Sequence, residues 1–386
     1  MNSSKKLIYI ANLRLPTEKA YGIQIAKMCE AFASQDTDII LVYPFRKNQI
    51  EYDIFSYYSL NRNFKTKKIW APDFYWPGKL DKVAVNIKSF ISAIFVSFYA
   101  ITQKADIIYS RDEWPLYFLS FFKKNLVYEA HRFSNSRRLF YRRFKNKKLK
   151  VVTITHYLKN DFVDFGFNPE NILVAPDGVD LEEFDIDISK GDARNRVGLP
   201  LDKKIVMYTG HLFEWKGADV LLETAHSFQF PVSSFQKEKD ILFVFVGGTE
   251  YDIKKFKEKA EGLRNVLILG HKPHKDIPFY LKAADVLILP NSAKEEISRS
   301  YTSPLKLFEY MASKKPIVAS DLPSLQEVLN ESNAVLVKPD DPEKLTDGIR
   351  KILNDSDLGN RISDKAFSDV KNYTWVKRAR GILNFI

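Results

Sequence analysis

Ile205-Val-Met-Tyr-Thr-Gly-His-Leu-Phe-Glu-Trp-Lys-Gly217 joins an unbroken apolar run to a glycine turn and a lysine, and this pattern decides the fold. The run Ile205–Tyr208 does not alternate apolar with polar residues. A short continuous run fits a strand covered on both faces, hence a parallel sheet between helices. Gly210 permits a tight turn and a close approach of the backbone to a ligand. The turn then directs His211 and Lys216 past the carboxyl end of the strand, where open α/β sheets bind ligands. A cation held there suits a leaving diphosphate, which gains charge as its bond to a sugar breaks. A plain strand-to-helix turn with a surface lysine is the alternative.

Similar runs recur in both directions. Downstream are Ile241–Val246, Val266–Leu269, Val286–Leu289, Ile317–Ala319 and Val335–Val337. Upstream are Leu7–Ala11, Ile39–Tyr43, Ile107–Tyr109, Leu126–Tyr128, Val151–Ile154 and Ile172–Ala175. Helix-length segments separate them. Two sets of six predict two doubly wound α/β domains. The polar segment Asp185–Lys204 is the expected linker, and Asp364–Ile386 reads as a terminal helix. The boundaries drawn from this are 1–190, with 370–386 returning to it, and 191–369.

Three further segments carry chemistry. In Ser303-Pro-Leu-Lys-Leu-Phe-Glu-Tyr-Met-Ala312, Ser303 is a good N-cap and Pro304 a good first helical residue. A helix start with free N–H groups is a ready anion site. Glu309 is placed to accept from ribose hydroxyls, or else forms an ordinary i,i+3 pair with Lys306. Glu129-Ala-His131 follows the strand Leu126–Tyr128, which puts His131 at a strand's carboxyl end, as a catalytic or a structural histidine. Gly22 precedes the expected helix Ile23–Ala33 and permits close approach of a phosphate or acceptor.

The chain has 386 residues with a net charge of +11 and a single cysteine, Cys29, which excludes an internal disulfide and a cysteine metal cluster. The apolar run at Leu7–Leu13 is too short for a secretory core, so a cytoplasmic location is expected. The charge is lopsided: residues 1–150 hold 27 Lys/Arg against 12 Asp/Glu. Arg132–Lys150 has nine basic residues and no acidic one. That patch suits an anionic partner, whether acidic lipid on the inner membrane face, a phosphate-bearing acceptor or nucleic acid, or is simply a solvated face. Phe133, Phe140, Tyr141 and Phe144 are interleaved with it and would allow base stacking, but no nucleic-acid-binding pattern accompanies them. Val83–Ile101 is apolar yet interrupted by Asn86 and Lys88, too short to span a bilayer. It is expected as a buried helix, with a helix lying on the membrane surface as the alternative.

Taken in order, these segments resemble family 4 of the glycosyltransferases, along nearly the whole chain. Ala175-Pro-Asp-Gly-Val-Asp180 with Phe184 resembles the family's P-N-G-V-D-x-x-x-F junction, with Asp177 in place of Asn. Gly210–Gly217 is similar to its G-R-L-x-x-x-K-G loop. Val246-Gly-Gly248, Asp276–Pro290 and Pro304–Asp321 resemble the following glycine turn, helix-strand and helix-strand segments. The resemblance implies the GT-B fold: two Rossmann-like domains facing a central cleft, with a C-terminal helix that crosses back to the first. It implies a retaining, metal-independent sugar transfer that needs no cofactor beyond a nucleotide-diphosphate sugar as co-substrate, onto a lipid-linked or glycan acceptor. Lys216 would hold the diphosphate, with backbone support near Ser303 and Leu305. Glu309 would bind ribose, His131 would be the catalytic-site histidine, and Gly22 would line the phosphate side. A nucleotide-sugar epimerase of the same fold and a non-catalytic membrane-binding relative are the alternatives.

Two positions depart from the family pattern. Tyr301 stands where the first carboxylate of the E-x7-E motif contacts the donor sugar, with Glu295 and Glu296 slightly upstream. His211 replaces the arginine of the G-R-L loop. A histidine with a pKa near ~6.5 is only partly charged at neutral pH, so activity is expected to decline as pH rises through that range.

Overall fold

The computed structural model describes residues 5–229 and 240–386. The chain divides into two compact units, Met1–Pro176 with Trp375–Ile386, and Asp177–Thr374.

The first unit is built on seven parallel strands. They are β1 (Lys6–Ile10), β2 (Asp38–Pro44), β3 (Lys65–Ile69), β4 (Ile107–Ser110), β5 (Leu126–Ala130), β6 (Lys150–Thr153) and β7 (Ile172–Val174). Their order is β3-β2-β1-β4-β5-β6-β7. The direction of winding reverses between β1 and β4, with Leu7 opposite Ile107. Six strands fall on the expected apolar runs. The seventh, β3, reads Lys-Thr-Lys-Lys-Ile and is mostly exposed. As an edge strand it pairs only with β2, so it needs no apolar face, and its lysines protect the edge from further pairing.

The second unit has six parallel strands: β8 (Lys204–Thr209), β9 (Ile241–Val246), β10 (Val266–Gly270), β11 (Val286–Leu289), β12 (Ile317–Ser320) and β13 (Val335–Val337). Their order is β10-β9-β8-β11-β12-β13, and the reversal lies between β8 and β11. All six correspond to the expected runs. Both sheet faces are covered: Met207, Val244, Leu287 and Ala319 lie in one apolar cluster, and Val206, Phe243, Ile288 and Val318 in the other. Burial on both faces is why these strands do not alternate.

The boundary differs from the expected one. Residues 177–190 belong to the second unit, and the expected linker is not a linker. Its helix Lys190–Val197 packs on helix Ile277–Ala283. Arg194 explains this, donating to the carbonyls of Ala283, Leu201 and Lys203 and pairing with Asp285 at 2.6 Å. The terminal helix is Trp375–Phe385 and packs on helix Ala20–Ala33 of the first unit.

Candidate active site

In the second unit, the loops that leave β8, β9 and β11 meet at the carboxyl ends of the strands beside the reversal. Gly210 has φ +125°. A Cβ on Gly217 would stand 1.6 Å from the Pro290 carbonyl oxygen, so this turn sits directly on the loop after β11. A Cβ on Gly247 would stand 2.3 Å from the Gly210 carbonyl oxygen. The Tyr208 hydroxyl donates to the His211 carbonyl at 2.6 Å, and the His211 ring stacks on Phe213.

Two lysines share this place. Lys216 is half-buried. Burial lowers its pKa to about 8, against the opposing charge of Glu309. Lys306 is more deeply buried. Its Nζ lies 3.9 Å from the centroid of the Tyr208 ring and 4.0 Å from where a Gly210 side chain would begin. It has no hydrogen-bond partner among the described residues. Burial, then the charge of Lys216, push its pKa well below the lysine range, with Glu309 opposing. Charging an amine buried without hydrogen bonds is costly, and a counter-charge would offset that cost. What would complete the arrangement is an anion.

Lys306 lies in the first turn of helix Leu305–Ala312, whose N-terminus favours negative charge. This helix begins one residue later than expected. Pro304 is its N-cap residue, and no side chain caps it. Ser303 instead accepts the Asp177 N–H on its Oγ at 3.0 Å, which ties the segment 177–180 to the helix start. Pro304 has no N–H to offer, so backbone donation begins at Leu305.

Glu309 is held by a residue that the sequence did not single out. His274 Nε2 donates to Glu309 Oε1 at 3.1 Å, and His274 Nδ1 to Glu183 Oε1 at 3.1 Å. Burial would lower the His274 pKa, but the hydrogen bonds and charges of the two carboxylates raise it to about 10. The imidazolium therefore fixes Glu309, and the i,i+3 pairing of Glu309 with Lys306 does not form. Tyr301 is buried at the end of a single wide turn, Ile297–Tyr301. Ser298 of that turn donates through Oγ to the Trp215 carbonyl at 3.1 Å. Glu295 and Glu296 are exposed.

In the first unit, Glu129 ends β5 with no solvent exposure. Its Oε1 accepts from Gln24 Nε2 at 2.7 Å, His131 Nε2 at 2.7 Å and Arg378 Nη2 at 2.9 Å. Its Oε2 accepts from the Tyr109 hydroxyl. Arg111 steadies Gln24 by donating to its Oε1 at 2.6 Å. Burial raises the Glu129 pKa, but Arg378 and His131 overcome this and hold it well below the carboxylate range. An ionised carboxylate only accepts, so His131 carries a hydrogen on Nε2, and the neutral ring has its lone pair on Nδ1. The place of His131 after β5 is local in the sequence, whereas Gln24, Arg111 and Arg378, which hold Glu129 beside it, are remote in the chain.

Gly22 has a local reason to be glycine. A Cβ there would stand 2.1 Å from the Tyr58 hydroxyl. That hydroxyl accepts the Thr17 N–H at 2.8 Å and donates to the Thr17 carbonyl at 2.7 Å. The helix itself begins at Ala20. The aromatic residues within Arg132–Lys150 are not a base-stacking platform: Phe140, Tyr141 and Phe144 are buried, and Phe133 stacks on Tyr141.

Two Rossmann-like units with these loops define a class of fold. The crystal structure of Anabaena HepE in complex with UDP superposes with a TM-score of 0.72 at 18% identity, covering 98% of each chain. HepE has also been solved with UDP-glucose. This is the GT-B fold. Among curated relatives, D-inositol 3-phosphate glycosyltransferase 1 of Catenulispora acidiphila is 26% identical over 222 residues, 55% of this chain and 50% of the relative. The putative teichuronic acid biosynthesis glycosyltransferase TuaC of Bacillus subtilis is 24% identical over 223 residues, 57% and 51% of the two chains. The chain thus spans about half the length of these relatives. Residues 22–183 match the model of glycosyltransferase family 4, and residues 189–369 that of the glycosyl transferases group 1. The chain belongs to the family 4 glycosyltransferases.

Proposed function

We propose that the protein transfers a sugar from a nucleotide-diphosphate donor to a lipid-linked or polysaccharide acceptor in cell-envelope glycan synthesis, with retention of anomeric configuration. The observation that carries this reading is the pair Lys216 and Lys306 beside the start of helix Leu305–Ala312, one of them buried without a hydrogen-bond partner among the described residues. A diphosphate supplies what the pair lacks.

In this reading Lys216, Lys306 and the Leu305 N–H meet the diphosphate, and the Gly210 turn lets it approach the backbone. His211 adds charge at the same turn. These cations take the part that a bound metal would otherwise play, so the reaction uses neither metal nor cofactor. Glu309, fixed by His274, accepts from the ribose hydroxyls, and Tyr301 borders the sugar. His131, oriented by Glu129, is the catalytic-site histidine of the acceptor half, and Gly22 belongs to that half as well. The bond from the anomeric carbon to the diphosphate oxygen breaks, and the nucleoside diphosphate leaves as an anion. The acceptor oxygen bonds to the same face of that carbon, and its proton passes to the departing diphosphate oxygen. The enzyme works in the cytoplasm, peripherally on the inner face of the membrane. The neighbours solved with UDP and UDP-glucose support a uridine donor as the first to try.

The test is thermal melting against a panel of nucleotide-diphosphate sugars, with Lys216→Ala and Glu309→Ala alongside. A ligand at ~100 times its dissociation constant adds about 2.7 kcal/mol of stability. A melting shift with one donor, absent in both variants, supports the site and names the donor. No shift with any donor, from folded protein, overturns the reading.

A further inference from the structure

Helix Asp81–Thr102 is turned inside out for a soluble domain. Its buried side carries small and polar residues, among them Ala84, Lys88, Ser92, Ser97 and Ala100. Its outward side carries Val83, Ile87, Phe90, Ile94 and Phe98, which are 46%, 39%, 38%, 44% and 69% exposed. Their spacings of four, three, four and four residues place them in one stripe. The polar side is held inward by specific bonds. Ser92 Oγ donates to Asn12 Oδ1 at 2.6 Å, Asn12 Nδ2 to the Ser89 carbonyl at 2.8 Å, and Lys88 pairs with Asp73 at 3.1 Å. The orientation is therefore fixed by the fold, and water is left facing the apolar stripe.

The stripe is bordered on both sides. Trp70, 68% exposed, packs edge-on against Phe95. On the other side a chain of ring contacts, Phe90 to Trp114 at 4.8 Å and Trp114 to Phe140 at 4.7 Å, leads to helix Arg138–Asn146. On it Arg138, Leu139 and Arg142 are exposed, as are Lys147 and Lys148 just past its end. Beside that helix Phe121 and Phe122 are exposed, with the Arg143 guanidinium 3.8 Å above the Phe121 ring. A large apolar stripe, a tryptophan at its edge and a basic border match the chemistry of a headgroup–acyl boundary.

We propose that this face of the first unit docks on an anionic lipid bilayer, with the Val83–Phe98 stripe immersed at the acyl boundary and the helix Arg138–Asn146 against lipid phosphates. The Asp81–Thr102 helix lies in the surface and does not cross it, because its other side is packed and bonded within the unit. A second copy of this chain is a poorer occupant, since pairing two such faces would bring their basic borders together. The proposal deepens the preceding reading by giving the acceptor's membrane a seat, but the surface argument stands without the donor site.

Flotation with liposomes tests it, comparing neutral phosphatidylcholine vesicles with vesicles containing phosphatidylglycerol, at low and high salt. The variants are Ile94→Asp with Phe98→Asp, and Arg138→Glu with Arg142→Glu. All four positions are exposed, so the folds should survive, and a retained melting transition checks this. The expected result is binding to anionic vesicles that persists in part at high salt, with a blue shift of tryptophan emission. The apolar double variant should weaken partitioning roughly tenfold or more at either salt. The charge variant should weaken it only at low salt. Binding abolished by salt and unaffected by the aspartates would overturn the immersed stripe. So would binding to no vesicle, or a concentration-dependent dimer in sedimentation that the aspartates dissolve. The donor-induced melting shift is read on the same samples, so failure of the lipid face and failure of the donor site are separate results.

Discussion

Arg378 Nη2 donates to Glu129 Oε1 at 2.9 Å, joining residues 249 positions apart. The arginine is on the terminal helix, and Glu129 is the carboxylate that orients His131. Arg378 Nε also donates to the Pro176 carbonyl at 2.9 Å. The helix Trp375–Phe385 thereby reaches the interior of the first unit.

Removing one side of a buried pair leaves the other charged and unsolvated. Arg378→Met is expected to destabilise the first unit by about 3–5 kcal/mol. Chemical denaturation read by tryptophan emission would show this. Unchanged stability would mean that solvent reaches Glu129.

Glu129→Gln tests the orientation of His131 more gently. The amide keeps the volume but loses the ionised acceptor, so the imidazole tautomer is no longer fixed. Turnover is expected to fall by about 10- to 100-fold. The pH profile should shift, while the donor-induced melting shift, a property of the second unit, stays the same. Equal turnover and an unshifted profile would reduce Glu129 to a packing role.

Lys306→Met should act in opposite directions on stability and binding. The buried amine lacks a hydrogen-bond partner among the described residues, so a methionine of similar length should leave the ligand-free protein as stable or more so. Donor affinity should drop by about 1.5–3 kcal/mol, the usual worth of a charged hydrogen bond. Melting with and without UDP measures both. A destabilised ligand-free protein with unchanged UDP affinity would contradict the assignment.

The lowered pKa of Lys216, about 8, gives donor binding a proton signature. In the empty site the amine loses its proton above about pH 8, and a bound diphosphate favours the charged form. Binding should therefore take up protons above pH 8 and weaken as pH rises. Calorimetry of UDP binding at pH 8.5 in two buffers of different ionisation enthalpy detects the uptake. Lys216→Arg should lose its share, because the guanidinium stays charged.

His274 links pH to stability. Its folded pKa is raised to about 10, so its contribution is fully present below the unfolded value near ~6.5 and is lost as pH rises through about 10. Between those limits the wild type should lose on the order of 2 kcal/mol or more relative to His274→Gln. Parallel denaturation at pH 6 and pH 9.5 compares them. A variant with the same pH slope as the wild type would show that His274 is not held as an imidazolium.

Twelve of the thirteen strands were legible because parallel strands buried on both faces must be apolar throughout. The edge strand β3 was not, since Lys65–Ile69 has only one partner strand and no buried face to advertise. The places of Lys216 and His131 after strands and of Glu309 in a helix were legible. His274 and Glu183 were not, because a lone histidine carries no period, and its meaning comes from two carboxylates 91 and 35 positions away. The apolar content of Val83–Ile101 was legible, but its direction was not. Composition alone could not show that hydrogen bonds of Asn12, Ser89 and Ser92 turn the small residues inward.

The sequence by itself determined the two parallel sheets, the family pattern, the glycine turn with its lysine and the excess of positive charge in the first 150 residues. These depend on residue types at short separations, where backbone sterics and burial act. Only the tertiary structure decided that Glu309 belongs to His274, that Glu129 belongs to Arg378 and that Lys306 stands without a hydrogen-bond partner among the described residues. Those are encounters between distant segments inside a low-dielectric interior, where the neighbouring charges and their distances set each group's ionisation.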